Sequence, residues 1–181
     1  MIVFVDFEAS SLGKRGFPVE VGWAAEDGTE EGHLIRPAPD WEEWNLEAEA
    51  VHGLSLERLR RDGTAHEVVA RRMVEVLSGH DLYASAPSWD GQWLSRLLRA
   101  AGLPRHALRL RDTEEAQRQA VTAALGGAGE AQAEEVLAAA RRAVEASGAP
   151  VHRALDDARR ELKLWREVRR QAAEAAASPR P

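Results

Sequence analysis

The chain has 181 residues, of which 44% are hydrophobic and 30% charged, a balance typical of a single soluble globular domain. It contains no cysteine, which excludes a disulfide framework and a thiolate metal site. The formal net charge of −6 is concentrated in an acidic first third, which argues against a protein that coats nucleic acid nonspecifically. The N-terminal apolar run is too short for a signal peptide or a membrane span, so we expect a cytoplasmic protein without a membrane partner.

Three strands are predicted at the start of the chain. Residues 2–7 are mostly apolar and predict a buried strand, and residues 18–25 alternate apolar with small or charged side chains, as a second strand would. Asp27-Gly28 is a hairpin signal, and residues 31–37 after it predict a third, antiparallel strand.

The rest of the chain predicts helices with short strands between them. Residues 40–63 are expected to hold short helices and loop. The residues after them predict two more strands, at 80–86 and 106–112. Helical spacing and turn residues predict five helices, at 66–79, 90–102, 113–125, 130–146 and from 152 or 153 onward. This order predicts an α/β fold: a mixed five-stranded sheet, with an antiparallel hairpin in its first three strands, flanked by helices. We expect one domain over residues 1–172 and a disordered tail over 173–181.

Two carboxylates end the most apolar strand. Asp6 and Glu8 are two positions apart, so they lie on one face of that strand, where their charges repel each other. They are either ordinary acids at a surface or hard oxygen ligands for a divalent cation, which would remove the repulsion.

Three further residues could complete such a site, although each also has an ordinary explanation. Asp90 follows a predicted strand at the start of a helix, where Asp is a favoured N-cap. Asp157 is in the first turn of the last predicted helix, where an acid stabilises the helix dipole, and His152 is compatible with an ordinary loop residue.

Taken together and in this order, these residues resemble the motifs of the DEDDh exonucleases. This family of 3′-to-5′ exonucleases has a ribonuclease H-like fold and includes the proofreading subunit of bacterial DNA polymerase, ribonuclease T and oligoribonuclease. The resemblance covers about residues 2–165 and rests on four segments: DFEASSLG at 6–13, PVEVGW at 18–23, EAEAVHGLS at 47–55 and HRALDDA at 152–158.

The resemblance implies a metal-dependent enzyme that hydrolyses single-stranded DNA or RNA from its 3′ end and releases 5′-mononucleotides. Two divalent cations, Mg²⁺ or Mn²⁺, would be held by four acids, with Asp6 bridging both ions, Glu8 and Asp157 completing one, and Asp90 holding the second. His152 would be the general base, since an imidazole pKa near 6.5 suits that role.

The resemblance also implies contacts with the terminal nucleotide. These would come from the backbone between Phe7 and Ser10, which includes Ala9, and from the Val51-His52 loop. Trp89 is a candidate for stacking on a base, with core packing as the alternative, whereas Trp93 is expected to pack in the core.

The chain departs from the family pattern at two places. Before Asp90 the family usually has His-Asn, two small residues and Phe, where this chain has residues 85–89, SAPSW; after Glu8 the family often has Thr, where Ala9 and Ser10 stand. These changes affect the choice of substrate more than the catalytic set, and they leave DNA and RNA open. A homodimer or a replication or repair partner in trans is also left open. The alternative function is a non-catalytic module that keeps the exonuclease fold to bind nucleic acid or a partner protein.

Overall fold

The computed structural model describes residues 1–126 and 129–177. Within them, one sheet has six strands in the order β4-β3-β2-β1-β5-β6. In chain order the strands are β1 Ile2–Ala9, β2 Pro18–Ala25, β3 Glu30–Arg36, β4 Thr64–Ala65, β5 Asp81–Ala84 and β6 Leu110–Asp112. The first three strands are antiparallel, and β5 and β6 are parallel to β1 and to each other.

Seven helices are present in the same residues. They are α1 Leu46–His52, α2 Leu56–Asp62, α3 His66–Leu77, α4 Pro87–Ala100, α5 Thr113–Leu125, α6 Glu130–Glu145 and α7 Ala154–Ala177. Helices α3 and α4 pack on one face of the sheet, and α5 and α7 pack on the other. No helix among the described residues is long and apolar enough to cross a membrane.

Strand β1 lies in the middle of the sheet and is buried on both faces. Val3, Val5 and Phe7 join the core with α3 and α4, whereas Phe4 joins the smaller cluster with α5 and α7. This two-sided burial explains the continuous apolar run, because a strand covered on both faces has no solvent side to make polar.

The predicted mixed sheet flanked by helices is confirmed, but it has six strands where five were expected. The additional strand, β4, has only two residues and pairs with Ile35 and Arg36, so it is too short to produce a sequence pattern. Strand β6 begins at Leu110, later than predicted, because only Leu82–Ala84 of β5 pair with it.

Helix boundaries also differ from the predicted ones. Helix α4 begins at Pro87 instead of residue 90, with proline in the first turn, where its missing N–H costs no hydrogen bond. Helix α7 continues to Ala177, so residues 173–177, predicted as part of a disordered tail, are helical. Residues 178–181 of that tail, and residues 127 and 128 of the predicted break at GGAG, lie outside the described residues.

Gly22 allows α7 to begin directly against the sheet. A Cβ atom at this position would lie 2.3 Å from the backbone nitrogen of Leu155 and 2.4 Å from its Cα. These are backbone atoms of a packed helix, so they cannot move aside as a flexible side chain could. The absence of a side chain at Gly22 therefore decides how closely the start of α7 approaches β2.

We predict that Gly22→Ala lowers the free energy of unfolding by roughly 1–3 kcal/mol, because overpacking must push α7 away from β2. Gly91→Ala is the matched control: it lies within α4, and a Cβ there meets nothing within 4 Å. Alanine is the better helix former, so the control should be neutral or slightly stabilising. Urea unfolding of both variants measures the difference, and equal stabilities would contradict the close-approach argument.

Candidate active site

The two carboxylates of β1 lie on the face of the sheet that α7 covers. Asp6 and Glu8 share the strand parity of Phe4, which packs with Trp165 of α7. Across the antiparallel pair, Asp6 is opposite Gly22 and Glu8 is opposite Glu20. The start of α7 therefore lies over the strand positions that carry the acids.

His152 and Asp157 reach Glu8 from the start of α7. Each of the three residues offers one ligand atom, and these atoms all lie within 4.8 Å of one another. His152 precedes the helix and has a φ of 55°, whereas Asp157 is in the first turn. Residues about 150 positions apart in sequence thus form one group, as the predicted metal site requires.

Asp90 reaches the site from α4, the helix on the other side of β1. It lies in the first turn of that helix instead of at the N-cap, which is Ala86. Its side chain is only 4% exposed, and its Oδ2 atom has no hydrogen-bond partner among the described residues. A buried carboxylate oxygen without a partner is costly, so it indicates a ligand that the protein alone does not supply.

Burial and the repulsion of neighbouring acids raise the pKa values of Asp6, Glu8 and Asp90. The pKa of Asp6 is raised well above its ordinary value, mainly by burial and then by the charges of Asp90 and Glu8. Burial and the neighbouring Asp157 raise the pKa of Glu8 to about 7, and burial raises the pKa of Asp90 to about 7 although backbone N–H groups favour its charged form. The group binds protons because it lacks sufficient positive charge.

A divalent cation fits this arrangement. The donors are carboxylate oxygens, which Mg²⁺ and Mn²⁺ prefer, and the ion would supply the charge that the four acids lack. It would also give Asp90 Oδ2 a partner. Asp6, Glu8, Asp90 and Asp157 are the residues that would hold the metal, and His152 lies beside them.

A cavity of about 590 Å³ opens next to the acids. Its lining includes Asp6, Glu8 and Asp90 together with five of the six predicted nucleotide contacts, apart from Ser10: Phe7, Ala9, Val51, His52 and Trp89. The volume lies within the range typical of small-molecule sites, and a mononucleotide is of that size class.

The structure does not bring Ser10 to this cavity. Ser10 is fully buried, its hydroxyl accepts a hydrogen bond from the Phe17 N–H, and its own N–H donates to the Phe17 carbonyl. Its carbonyl accepts from the Asn45 N–H. Ser10 therefore closes the loop after β1, and the neighbouring Ser11 lines the cavity instead.

Three large apolar side chains are exposed at the rim of the cavity. Leu12, Val51 and Trp89 are 69%, 55% and 40% exposed, which is unusual for large apolar residues grouped around one opening. Trp89 stacks on the buried Trp93, with ring centroids 5.9 Å apart and planes at 22°. Trp93 is in the core as predicted, and it supports Trp89 in a position where one face of the ring can take a ligand.

His52 has one ring nitrogen committed and one without a partner. Its Nδ1 accepts a hydrogen bond from the Leu54 N–H at 3.0 Å, so its Nε2 carries the proton in the neutral ring. That Nε2 atom is buried and makes no hydrogen bond of good geometry among the described residues. Burial lowers the pKa of the imidazole, and the nearby Ala9 backbone offsets this only in part. His52 is therefore a neutral donor in the wall of the cavity.

Some residues of the site were not predicted from the sequence. Glu161 raises the pKa of both Asp6 and Asp90 and is hydrogen-bonded by Thr113. It follows Asp157 by four positions on the same helix face, and that spacing is the signal that could have identified it. The cavity-lining residues Leu12 and Asn45 come from loops and carry no such signal.

Comparison with solved structures identifies the same fold in exonuclease I of E. coli. A crystal structure of that protein in complex with a dA16 oligonucleotide has a TM-score of 0.65 at 14% identity and covers 96% of this chain and 42% of that chain. A zinc-bound complex with single-stranded DNA gives 0.63 at 15% identity over 89% and 38%. A product-bound exonuclease I structure gives 0.54 at 15% identity over 71% and 33%.

These matches show the fold. This chain spans less than half the length of the exonuclease I chains that it matches. A scan of protein-family models finds no match, and a search of the curated proteins finds none either.

We predict that the metal-free protein loses stability as the pH rises from about 4.5 to about 8. The folded state holds protons on acids such as Glu8 and Asp90, whose pKa values are raised to about 7, so their contribution is complete at low pH and lost as they ionise. Glu8→Gln should flatten this dependence. Thermal melts with chelator across this range measure it, and identical slopes for both proteins would contradict the pKa assignment.

We also predict that Mg²⁺ or Mn²⁺ raises the melting temperature by several degrees at about pH 8 and by less at about pH 5.5, because protons compete for the same carboxylates. Asp6→Asn should remove the increment and melt higher than the wild type without metal. Asp27→Asn, in an exposed turn, is the control and should retain the increment. An increment that survives in Asp6→Asn would place the cation elsewhere.

Proposed function

We propose that this protein is a divalent-metal-dependent 3′-to-5′ exonuclease that hydrolyses single-stranded DNA or RNA to 5′-mononucleotides. The observation that carries the proposal is the meeting of Asp6, Glu8, Asp90, His152 and Asp157 around one end of β1. They come from three separate segments, and an accidental set of acids would have no reason to converge. The exonuclease I fold supports the same reaction class.

The four acids would hold two cations of the Mg²⁺ or Mn²⁺ class. When bound, such ions stabilise the charge that develops on a phosphodiester and lower the pKa of a coordinated water. The chain itself orients the ligands: β1 holds Asp6 and Glu8 rigidly, and the first turns of α4 and α7 present Asp90 and Asp157.

His152 is the base that accepts a proton from the attacking water. It lies beside Glu8 and Asp157 but precedes α7, and its side chain is exposed. Because the imidazole is exposed, it can take up the proton of the water and release it to solvent afterwards.

Substrate recognition relies on the apolar rim and the cavity wall. Trp89 stacks on the base of the terminal nucleotide, and Leu12 and Val51 enclose it, since every base offers a π-face and an apolar edge. His52 donates its Nε2–H to an oxygen of the same nucleotide. Exonuclease I is in complex with a dA16 oligonucleotide in one matching structure and with single-stranded DNA in another. We propose single strands for this protein because the fold is shared.

The test is digestion of 5′-labelled single-stranded DNA and RNA of one sequence in Mg²⁺ or Mn²⁺. We expect a ladder that shortens from the 3′ end, is abolished by EDTA, and falls by at least about 100-fold in Asp157→Asn, because a metal ligand is lost. Asp156→Asn is the matched control: it is the neighbouring acid, exposed, and paired with Arg159 at 2.9 Å.

The control variant should retain nearly full activity. Whichever of the DNA and RNA strands is degraded faster identifies the preferred sugar. Absence of a ladder with both metals and both strands, combined with retained binding of a labelled oligonucleotide, would overturn the proposal in favour of the non-catalytic binding module. Equal losses of activity in Asp157→Asn and Asp156→Asn would show that activity depends on the structure of the first turn of α7 and not on Asp157 as a metal ligand.

A further inference from the structure

Glu20 is a buried carboxylate whose hydrogen bonds all go to the start of α7. It is 5% exposed, and it accepts hydrogen bonds from the Arg153 guanidinium at 2.6 and 3.0 Å. It also accepts from the backbone N–H of Ala154 at 3.0 Å. Both of its oxygens are thus engaged, and Glu20 has no free oxygen to offer a metal, unlike Asp90.

The sheet register places this carboxylate beside the catalytic group. Glu20 is directly opposite Glu8 across β1 and β2, a juxtaposition of like charges that would be unfavourable by itself. Arg153 relieves it, because its guanidinium binds Glu20 and lowers the pKa of Glu8. Consecutive residues of one segment therefore meet neighbouring strands: His152 meets Glu8, and Arg153 meets Glu20.

The backbone of His152 needs such support. Its φ of 55° is in the left-handed region, and no other non-glycine residue among those described has a positive φ. That conformation is unfavourable for an L-residue and persists only where the surroundings enforce it. Immediately after His152, both the side chain of Arg153 and the N–H of Ala154 are held by Glu20, which is the enforcing contact.

We infer that Glu20 is a positioning residue: through Arg153 and Ala154 it holds His152 in its left-handed conformation and keeps the imidazole against Glu8 and Asp157. Glu20 has no oxygen free for a metal, and apart from its repulsion of the facing Glu8 its contacts reach the site through the segment that carries His152. The inference rests on the proposed function for what His152 does, but not for where His152 is held.

The kinetic test is a double-mutant cycle between Glu20→Gln and His152→Ala. Glutamine loses the charge and turns an amide donor toward Arg153, so we expect kcat to fall roughly 10- to 100-fold with KM nearly unchanged. In the His152→Ala background the same change should have less than about a twofold effect, since the residue through which Glu20 acts is gone. Multiplied losses would indicate a general structural role and overturn the inference.

Glu30→Gln is the matched control. Glu30 also joins the sheet to α7 through a carboxylate–guanidinium pair, but it is exposed, and its partner Arg159 lies about two helical turns beyond His152. Its loss should leave kcat unchanged. If Glu20→Gln does not fold, Arg153→Gln removes the same link at a partly exposed side chain and should show the same non-additivity with His152→Ala.

A crystal structure of Glu20→Gln supplies a readout that does not depend on activity. We expect residue 152 to relax to negative φ and its imidazole to leave Glu8, while Glu30→Gln keeps the wild-type arrangement. An imidazole that stays in place in Glu20→Gln would overturn the inference even if the enzyme is active. An inactive wild-type protein would instead contradict the proposed function. The crystal structure of Glu20→Gln would then decide by itself whether Glu20 positions His152.

Discussion

The docking of the first turn of α7 onto β2 is the constraint on which the site depends. Gly22 provides the space for the helix backbone, and Glu20 provides the carboxylate that binds Arg153 and Ala154. Both residues lie on the face of β2 that also faces α7, directly opposite Asp6 and Glu8 of β1. The contact between α7 and β2 therefore also brings Asp157 and His152 close to Asp6 and Glu8.

The acids near the start of α7 are of two kinds: one is fully paired within the protein, and the others form the candidate metal site. Glu20 is a buried acid with a full set of donors, so its charge is neutralised inside the protein. Asp90 is a buried acid with one oxygen that lacks a partner, Asp6 and Glu8 are half-buried, and the pKa values of all three are raised. A folded protein tolerates such unpaired acids at a cost in stability, which is common at functional sites and is offset when a cation binds.

The wall opposite the acids has a different character. At the cavity mouth Leu12, Val51 and Trp89 present large exposed apolar side chains, beside the exposed polar side chains of Asn45 and Glu47. An acidic end and an apolar rim suit a ligand that has a phosphate at one end and a flat aromatic ring at the other, provided that metal ions lie between phosphate and carboxylates. A nucleotide has this composition, in agreement with the proposed substrate.

The sequence by itself determined most element types and their order, and it predicted the five residues of the candidate site, because apolar period and turn residues are local signals and the motifs stand at element ends. It could not reveal β4, which is two residues long, nor the burial of Ser10, nor the role of Glu20, whose partners are more than 130 positions away. Those features are decided by strand register and by helix docking. Only the tertiary structure could show them, since a hydrogen bond between distant segments leaves no periodic trace in either one.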